Sequence, residues 1–290
     1  LPEEERIPLI EKFRKMYETM DFYVLYNRFL KKEGYQTLPR RPLEKRKLRY
    51  EDVYPVLYLK YRLSRQAERS NIKHLVIDEM QDYSRLQYLI IRRMFSCKMT
   101  ILGDRAQTMA DQQQDVLQFL PGIFGKDLRR IEMRKSYRNT MEIASYAANL
   151  IGVTDLELFE RHEMPVLERN VTDLEAALRE AVDTLFPDEK TYETAAVIVP
   201  DEKTAERAYL ILREILAEKD FDCEKRLSWL NRDSSSFKKG LTVTTFYLAK
   251  GLEFDQVFSI FPKDEKREMM MQAQYIAATR ALHELRVYHI

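Results

Sequence analysis

The chain has 290 residues, more than one hydrophobic core usually supports, so two domains are expected. An apolar fraction of 45% is enough for real cores, and 7 Gly with 10 Pro are too few for a disordered chain. Basic and acidic residues, 48 against 47, leave a net charge of +1, which excludes a general polycation but not a local basic groove. Cys97 and Cys223 lie far apart without metal-ligand spacing, the pattern of a reduced, cytosolic protein, and Cys97 is expected at a helix–strand junction. No apolar run approaches a membrane span, and no secretory pattern opens the chain. It starts at Leu1 rather than Met and is expected to be a piece of something longer.

From about Pro2 to Leu30 the apolar positions Leu9, Ile10, Phe13, Met16, Tyr17, Met20, Val24 and Leu25 keep a helical period, which Gly34 and Pro39 break. The basic run Arg40–Arg49 reads as a solvated connection or as a phosphate or partner contact. A second helix is expected over Asp52–Arg69, with Leu57, Leu59 and Leu63 among its apolar residues and Pro55 in its first turn. After Asn71, short strands alternate with helices, the rhythm of parallel βαβ units. Strand Leu75–Ile77 leads to a helix that opens on a Ser84/Gln87 capping box, and strand Met99–Leu102 stops at Gly103-Asp104. Pro121 and Gly122 punctuate a connection toward Ile131. Asn139 is placed to cap helix Thr140–Ile151, with Glu142 three residues on. Strand Ala195–Val199 precedes a helix capped by Asp201, and Asn231–Ser236 is a loop. Strands Leu241–Phe246 and Gln256–Phe261, a helix near Glu265–Leu282 and strand Leu285–Ile290 complete the pattern.

Five segments carry chemistry. Asp78-Glu79-Met80-Gln81-Asp82 follows a strand, where a carboxylate pair holds Mg²⁺ and orients a water, or where acids simply cap a helix. In Leu102–Gln107, Gly103 permits a close backbone approach and Gln107 reaches a phosphate or water, or is a polar turn residue. In Ser136–Thr140, Tyr137 can stack on a base while Arg138 reaches a phosphate, unless the two are a surface pair. Thr244–Phe254 reads as a tight polar loop containing Lys250, Gly251 and Glu253. In Ala277–Ala281, Arg280 is an arginine finger or an exposed helical Arg.

In this order, over about residues 72–290, the segments resemble the UvrD/Rep group of superfamily-one helicases. The acidic run is similar to that family's Walker B motif, Gly103-Asp104 with Gln107 to its third motif and Ser136-Tyr137-Arg138 to its Tyr-Arg motif. Thr245–Glu253 resembles its fifth motif and Thr279-Arg280-Ala281 its sixth. The resemblance implies an α/β fold of two RecA-like (P-loop NTPase-type) parallel-sheet domains, the first incomplete, with the ATP site between them. Residues 1–70 would be a helical segment left from an insertion, 71–130 the C-terminal part of the first domain, and 131–290 the second. It also implies ATP and Mg²⁺ as cofactors of the full-length protein, with Asp78 on the metal and Glu79 as base. Gln107 would sense the γ-phosphate, Arg138 and Arg280 would stabilise its charge, and Tyr137 would stack on adenine. Lys250, Gly251 and Glu253 would line the nucleotide, Glu253 at the ribose, while Thr245 and Tyr247 would meet nucleic acid.

Asp78–Ser84, the preceding Tyr58-Leu59-Lys60 and the short interval from Arg138 to Thr244 resemble the HelD branch more closely. That branch implies RNA polymerase as partner, instead of or beside single-stranded nucleic acid. Two departures stand out. Tyr247 occupies a position where the family usually has His, and no Gly-x-x-x-x-Gly-Lys-Ser/Thr segment occurs, since Gly125-Lys126 is followed by Asp127. The Walker A loop is therefore expected upstream of Leu1, and the polypeptide alone is expected to hydrolyse no ATP and to bind it weakly.

Overall fold

The computed structural model describes residues 2–15, 19–63, 71–104, 107, 115–125, 128–133, 135–153, 157–186, 192–219, 222–234, 239–263 and 268–290. The chain divides into two compact units. One comprises Leu1–Arg105 with Ala110–Arg129, the other Ala106–Met109 with Arg130–Ile290. Both are built on parallel strands with helices, the mixed α/β class that the βαβ rhythm predicts.

The first unit opens with helices rather than one long rod. Helix α1 spans Glu3–Lys15 and α2 spans Phe22–Lys32, because the Asp21 carboxylate accepts the N–H groups of Tyr23 and Val24 and starts a new helix. Helix α3, Tyr50–Leu63, begins two residues before the expected Asp52, so Pro55 falls in its second turn rather than its first. The expected continuation to Arg69 lies outside the described residues. Tyr23, Tyr26, Leu30 and Leu38 form a small core with Leu48, Val56 and Leu59. Within it the Tyr26 hydroxyl donates to Asp52 Oδ1 at 2.8 Å and Arg49 Nε meets Oδ2 at 2.6 Å.

Strands β1 (His74–Ile77) and β2 (Lys98–Ile101) pair in parallel, Ile77 against Ile101. Helix α4 (Arg85–Met94) starts on the expected Ser84/Gln87 capping box, and Cys97 lies between it and β2. Pro121 and Gly122 do not punctuate a connection. They sit inside helix α5 (Val116–Phe124), which Asp115 caps and Gly125, at φ 80°, ends. Its apolar residues win over the breakers by packing: Val116, Leu120 and Phe119 close over the fully buried Tyr88.

The second unit is a six-stranded, wholly parallel sheet. Two-residue strands β3 (Lys135–Ser136) and β4 (Glu157–Leu158) pair apart from it, flanking α6 (Met141–Leu150). Then come β5 (Leu167–Asn170), α7 (Leu174–Asp183), β6 (Thr194–Val199), α8 (Glu202–Ala217), α9 (Cys223–Arg226) and β7 (Leu227–Trp229). Strand β8 (Gly240–Thr245), β9 (Phe254–Phe261), α10 (Glu268–Ala278) and β10 (Ala281–His289) complete it. The strand order is β5-β10-β9-β6-β8-β7. In β6, Ala195, Val197 and Val199 face the core under α7 and α8, while Ala196 and Ile198 face the core under α6 and α10. Burial on both faces explains the unbroken apolar run, as expected for a parallel strand. As expected, Asp201 caps α8. Helix α10 stops at Ala278 rather than Leu282, because Thr279 and Arg280 turn the chain directly into β10.

Candidate functional site

In the first unit the acidic run lies just beyond the C-terminal end of β1, the edge at which ligands bind in parallel sheets. The ends of β1 and β2 are tied together: Leu102 N–H donates to Ile77 O and Met80 N–H to Leu102 O, each at 2.8 Å. Gly103 is required there. A Cβ at that position would stand 2.5 Å from Gln81 Oε1 and 2.7 Å from Met80 N. The backbone of Glu79 is left-handed (φ 50°, ψ 51°), a conformation costing a non-glycine residue about 1–2 kcal/mol.

Local hydrogen bonds hold that turn. Glu79 N–H donates to Asp78 Oδ1 at 2.8 Å, and Gln81 Nε2 donates to Glu79 Oε2 at 2.5 Å. Gln81 is buried, and its Oε1 accepts the Asp104 N–H at 3.2 Å. Gln81 thus links the acidic run to the Gly103 segment, a positioning role that sequence reasoning missed. The signal available was its place inside the acidic run. Asp78 is exposed, and among the described residues no cation pairs with it. No cluster of three His, Cys, Asp or Glu side chains among the described residues is arranged to hold a metal. A single exposed carboxylate fits Mg²⁺, which keeps several waters and takes further oxygens from phosphates.

In the second unit, one group of the sequence-selected residues gathers at the N-terminal ends of β9 and β10. Arg138 Nε lies 2.7 Å from Glu253 Oε1, both side chains nearly half exposed. Arg280 is not an exposed helical Arg but is 2% exposed. Its guanidinium donates to Ile276 O at 3.2 Å, Leu252 O at 3.3 Å, Thr279 Oγ1 at 3.2 Å and Gln107 Oε1 at 3.4 Å. Gln107, itself buried, packs with this unit. Tyr137 is 61% exposed, its ring 5.7 Å from that of Phe159, with Lys135 Nζ 5.4 Å above it.

Asn139 does not cap α6. Thr140 does, accepting the Ile143 N–H, while Asn139 Nδ2 is drawn to Ala281 O at 2.6 Å and Thr279 O at 3.3 Å. Asn139 thereby clamps the segment carrying Tyr137 and Arg138 to the turn carrying Arg280. Glu142 is likewise taken up elsewhere, by His162 Nδ1 at 2.8 Å, and that hydrogen bond holds its carboxyl below the usual range.

Thr245 and Tyr247 are not brought to this group. In register, Thr245 lies opposite Val199 at the end of β6, whereas β9 starts beyond Ala195. Residues 246–253 therefore cross a face of the sheet from one edge to the other, with Phe246 and Ala249 buried against it. The stretch is a crossover, not the expected tight loop. Gly251 turns at φ 78° in open space, and Lys250 beside it is half-buried. At the far edge, Thr245 is buried and its Oγ1 finds no hydrogen-bond partner among the described residues. Arg232, missed by sequence reasoning, lies beside Tyr247 and Glu202, and the two raise its pKa, Tyr247 the more. Its Nε is 2.7 Å from Glu202 Oε1, a close ion pair without hydrogen-bond angles.

Among solved structures, the C-terminal domain of a possible DNA helicase from Lactobacillus plantarum WCFS1 is similar at 22% identity, over 53% of this chain and 88% of that one, with a TM-score of 0.42. The PRRSV helicase is similar at 16% identity over 75% of this chain, with a TM-score of 0.41. Arterivirus nonstructural protein 10, a helicase solved with DNA, is similar at 14% over 76%, with a TM-score of 0.42. The matches take in 35% and 40% of those two viral chains. All three likenesses are too loose to assign an activity. No curated protein matches the chain. Residues 4–109, which include the helical segment, the acidic run and Gly103–Gln107, match the family model described as the UvrD/REP helicase N-terminal domain.

Proposed function

We propose that this chain supplies the Walker B, sensor and arginine side of the ATP site of a UvrD/Rep-type, nucleic-acid-dependent ATPase. One observation carries the reading: Asp78 and Glu79 stand beyond the end of a parallel strand, with Glu79 held in a left-handed turn by Gln81. The UvrD/REP match over the same residues supports it. Asp78 would hold Mg²⁺, and the metal would supply charge neutralisation for phosphoryl transfer. Glu79 takes the proton of the attacking water, its carboxylate aimed by the Gln81 amide. Gln107 senses the γ-phosphate, and Arg138 and Arg280 stabilise developing charge. Tyr137, backed by Phe159, presents a ring to the adenine, and Lys250, Gly251 and Glu253 complete the nucleotide contacts. Thr245, whose buried hydroxyl has no partner among the described residues, and Tyr247 contact single-stranded nucleic acid at the opposite sheet edge.

These 290 residues contain no Walker A pattern, so the phosphate cradle comes from a longer polypeptide. In that longer protein, Glu79→Gln is expected to lower kcat at least about 100-fold while nucleotide still binds. Wild-type kcat in Glu79→Gln would overturn the assignment.

A second reading gives the longer protein RNA polymerase as its main partner, as in the HelD branch. Two observations favour it. Tyr247 is engaged by Arg232, and the described residues between Arg138 and Thr244 are taken up by the α/β unit itself, from α6 to β8. Co-purification with RNA polymerase and ATPase little stimulated by single-stranded DNA would select this reading; strong DNA stimulation without co-purification would select the first.

A further inference from the structure

The basic run Arg40–Arg49 is a structured strap, not a loose connection. Six cations stand against one carboxylate, Glu44. Two of the six work internally. Arg46 Nη1 is 2.7 Å from Asp21 Oδ2, its guanidinium lies 4.7 Å over the Tyr23 ring, and its Nε donates to Arg41 O at 3.0 Å. Arg49 Nε is 2.6 Å from Asp52 Oδ2. The approach to the strap is fixed as well, by the Tyr23 hydroxyl on Pro39 O at 2.8 Å and by Asn27 Oδ1 accepting the Leu38 N–H at 2.7 Å.

The other four cations, Arg40, Arg41, Lys45 and Lys47, are exposed, and no ion pair engages them among the described residues. Four like charges held in one run, with Glu44 the one carboxylate among them, repel one another, an arrangement that a polyanion relieves. Arg41 and Lys47 line an open groove of about 380 Å³ together with Tyr23, Thr37 and Leu38. Exposed rings flank the strap, Tyr35 at 65% and Tyr50 at 78%. Cations along a groove with exposed aromatic rings are the combination that grips a single strand, the cations on phosphates and the rings on bases.

We propose that this strap is a nucleic-acid contact of its own, binding the phosphodiester backbone of a single strand through Arg40, Arg41, Lys45 and Lys47, with Tyr35 and Tyr50 as stacking platforms. It does not depend on the ATP-site reading, because it requires neither nucleotide nor Asp78.

The test is fluorescence anisotropy of a labelled 20-nucleotide oligo(dT) titrated with the polypeptide without ATP, from about 50 to 200 mM salt. The quadruple variant R40Q/R41Q/K45Q/K47Q is expected to bind at least about tenfold more weakly at the lower salt, and its log K against log salt slope should flatten by about 2.8, from four contacts at about 0.7 each. R207Q/K263Q, which neutralises two exposed cations of the other unit, should bind as wild type does. Circular dichroism should show the quadruple variant folded, since none of its four side chains has an internal partner among the described residues. An unchanged slope in a folded variant overturns the proposal. If the quadruple variant unfolds, Y35A/Y50A carries the test, and unchanged affinity there overturns the stacking role and with it the proposal. Equal or tighter wild-type binding to anionic vesicles or to poly-glutamate also overturns the assignment to nucleic acid.

Discussion

Arg138 and Glu253, two residues proposed to contact opposite ends of a nucleotide, are in contact with each other at 2.7 Å. Both side chains are more than 40% exposed, so the pair adds at most about 1 kcal/mol to stability. Their contact ties the Tyr-Arg segment to the end of the crossover 246–253, in parallel with the Asn139 clamp on Ala281 O.

Glu253→Gln should therefore leave the denaturant midpoint almost unchanged, a shift worth under about 1 kcal/mol in urea melts. A loss of several kcal/mol would show that the pair is a structural anchor rather than two ligands at rest.

Arg280→Ala should behave differently. Its buried guanidinium serves the carbonyls of Ile276 and Leu252, and truncation removes these donors and opens a cavity, although Ile276 O keeps the Thr279 hydroxyl at 2.9 Å. A destabilisation of about 3 kcal/mol is expected in urea unfolding. A neutral effect would mean that the residue is not built into the fold. Loss of activity in such a variant is thus read only alongside its stability.

Gly103→Ala probes the junction of the two motifs in the first unit. The added methyl would meet Met80 N at 2.7 Å, backbone that cannot swing aside as a side chain does. We expect a loss of about 2 kcal/mol or more in urea unfolding. Wild-type stability would show that the acidic run is not held against β2.

The small helical core should give a signature in alkali. Burial, and next the hydrogen bond to Asp52, push the Tyr26 hydroxyl up to about 12. A pKa raised in the fold contributes stability that is complete below about 10 and lost as pH rises from 10 to 12. Asp52 runs the other way. Its burial opposes the charge, but the hydrogen bonds from Arg49 and Tyr26 prevail and lower its pKa, so its contribution is present above about 4 and is lost in acid. Melting curves against pH should show a smaller alkaline loss in Tyr26→Phe than in wild type, since burial also raises the hydroxyls of Tyr88, Tyr146 and Tyr288 and their share of the loss stays; equal losses would contradict the assignment to Tyr26.

The repeating units of structure were legible in the sequence where local signals are strong. Ser84 with Gln87 and Asp201 marked helix starts correctly, and the apolar run Ala195–Val199 marked the central strand. The misses follow from long-range partners. Asn139 resembled a cap until the carbonyls of Thr279 and Ala281, 140 residues away, claimed its amide. Pro121 and Gly122 resembled breakers until Tyr88 offered their helix a buried surface. The acidic run and the Tyr-Arg segment could be picked out by residue type, but Gln81 and Arg232 show their contacts only in three dimensions.

The most direct test of the half-site account is ATP turnover by this 290-residue polypeptide with Mg²⁺, measured beside its Asp78→Asn variant. The account predicts the same background rate from both, because no Walker A pattern is present to hold the phosphates. Turnover in the wild type that Asp78→Asn abolishes would contradict it, and would place a complete ATP site within these residues.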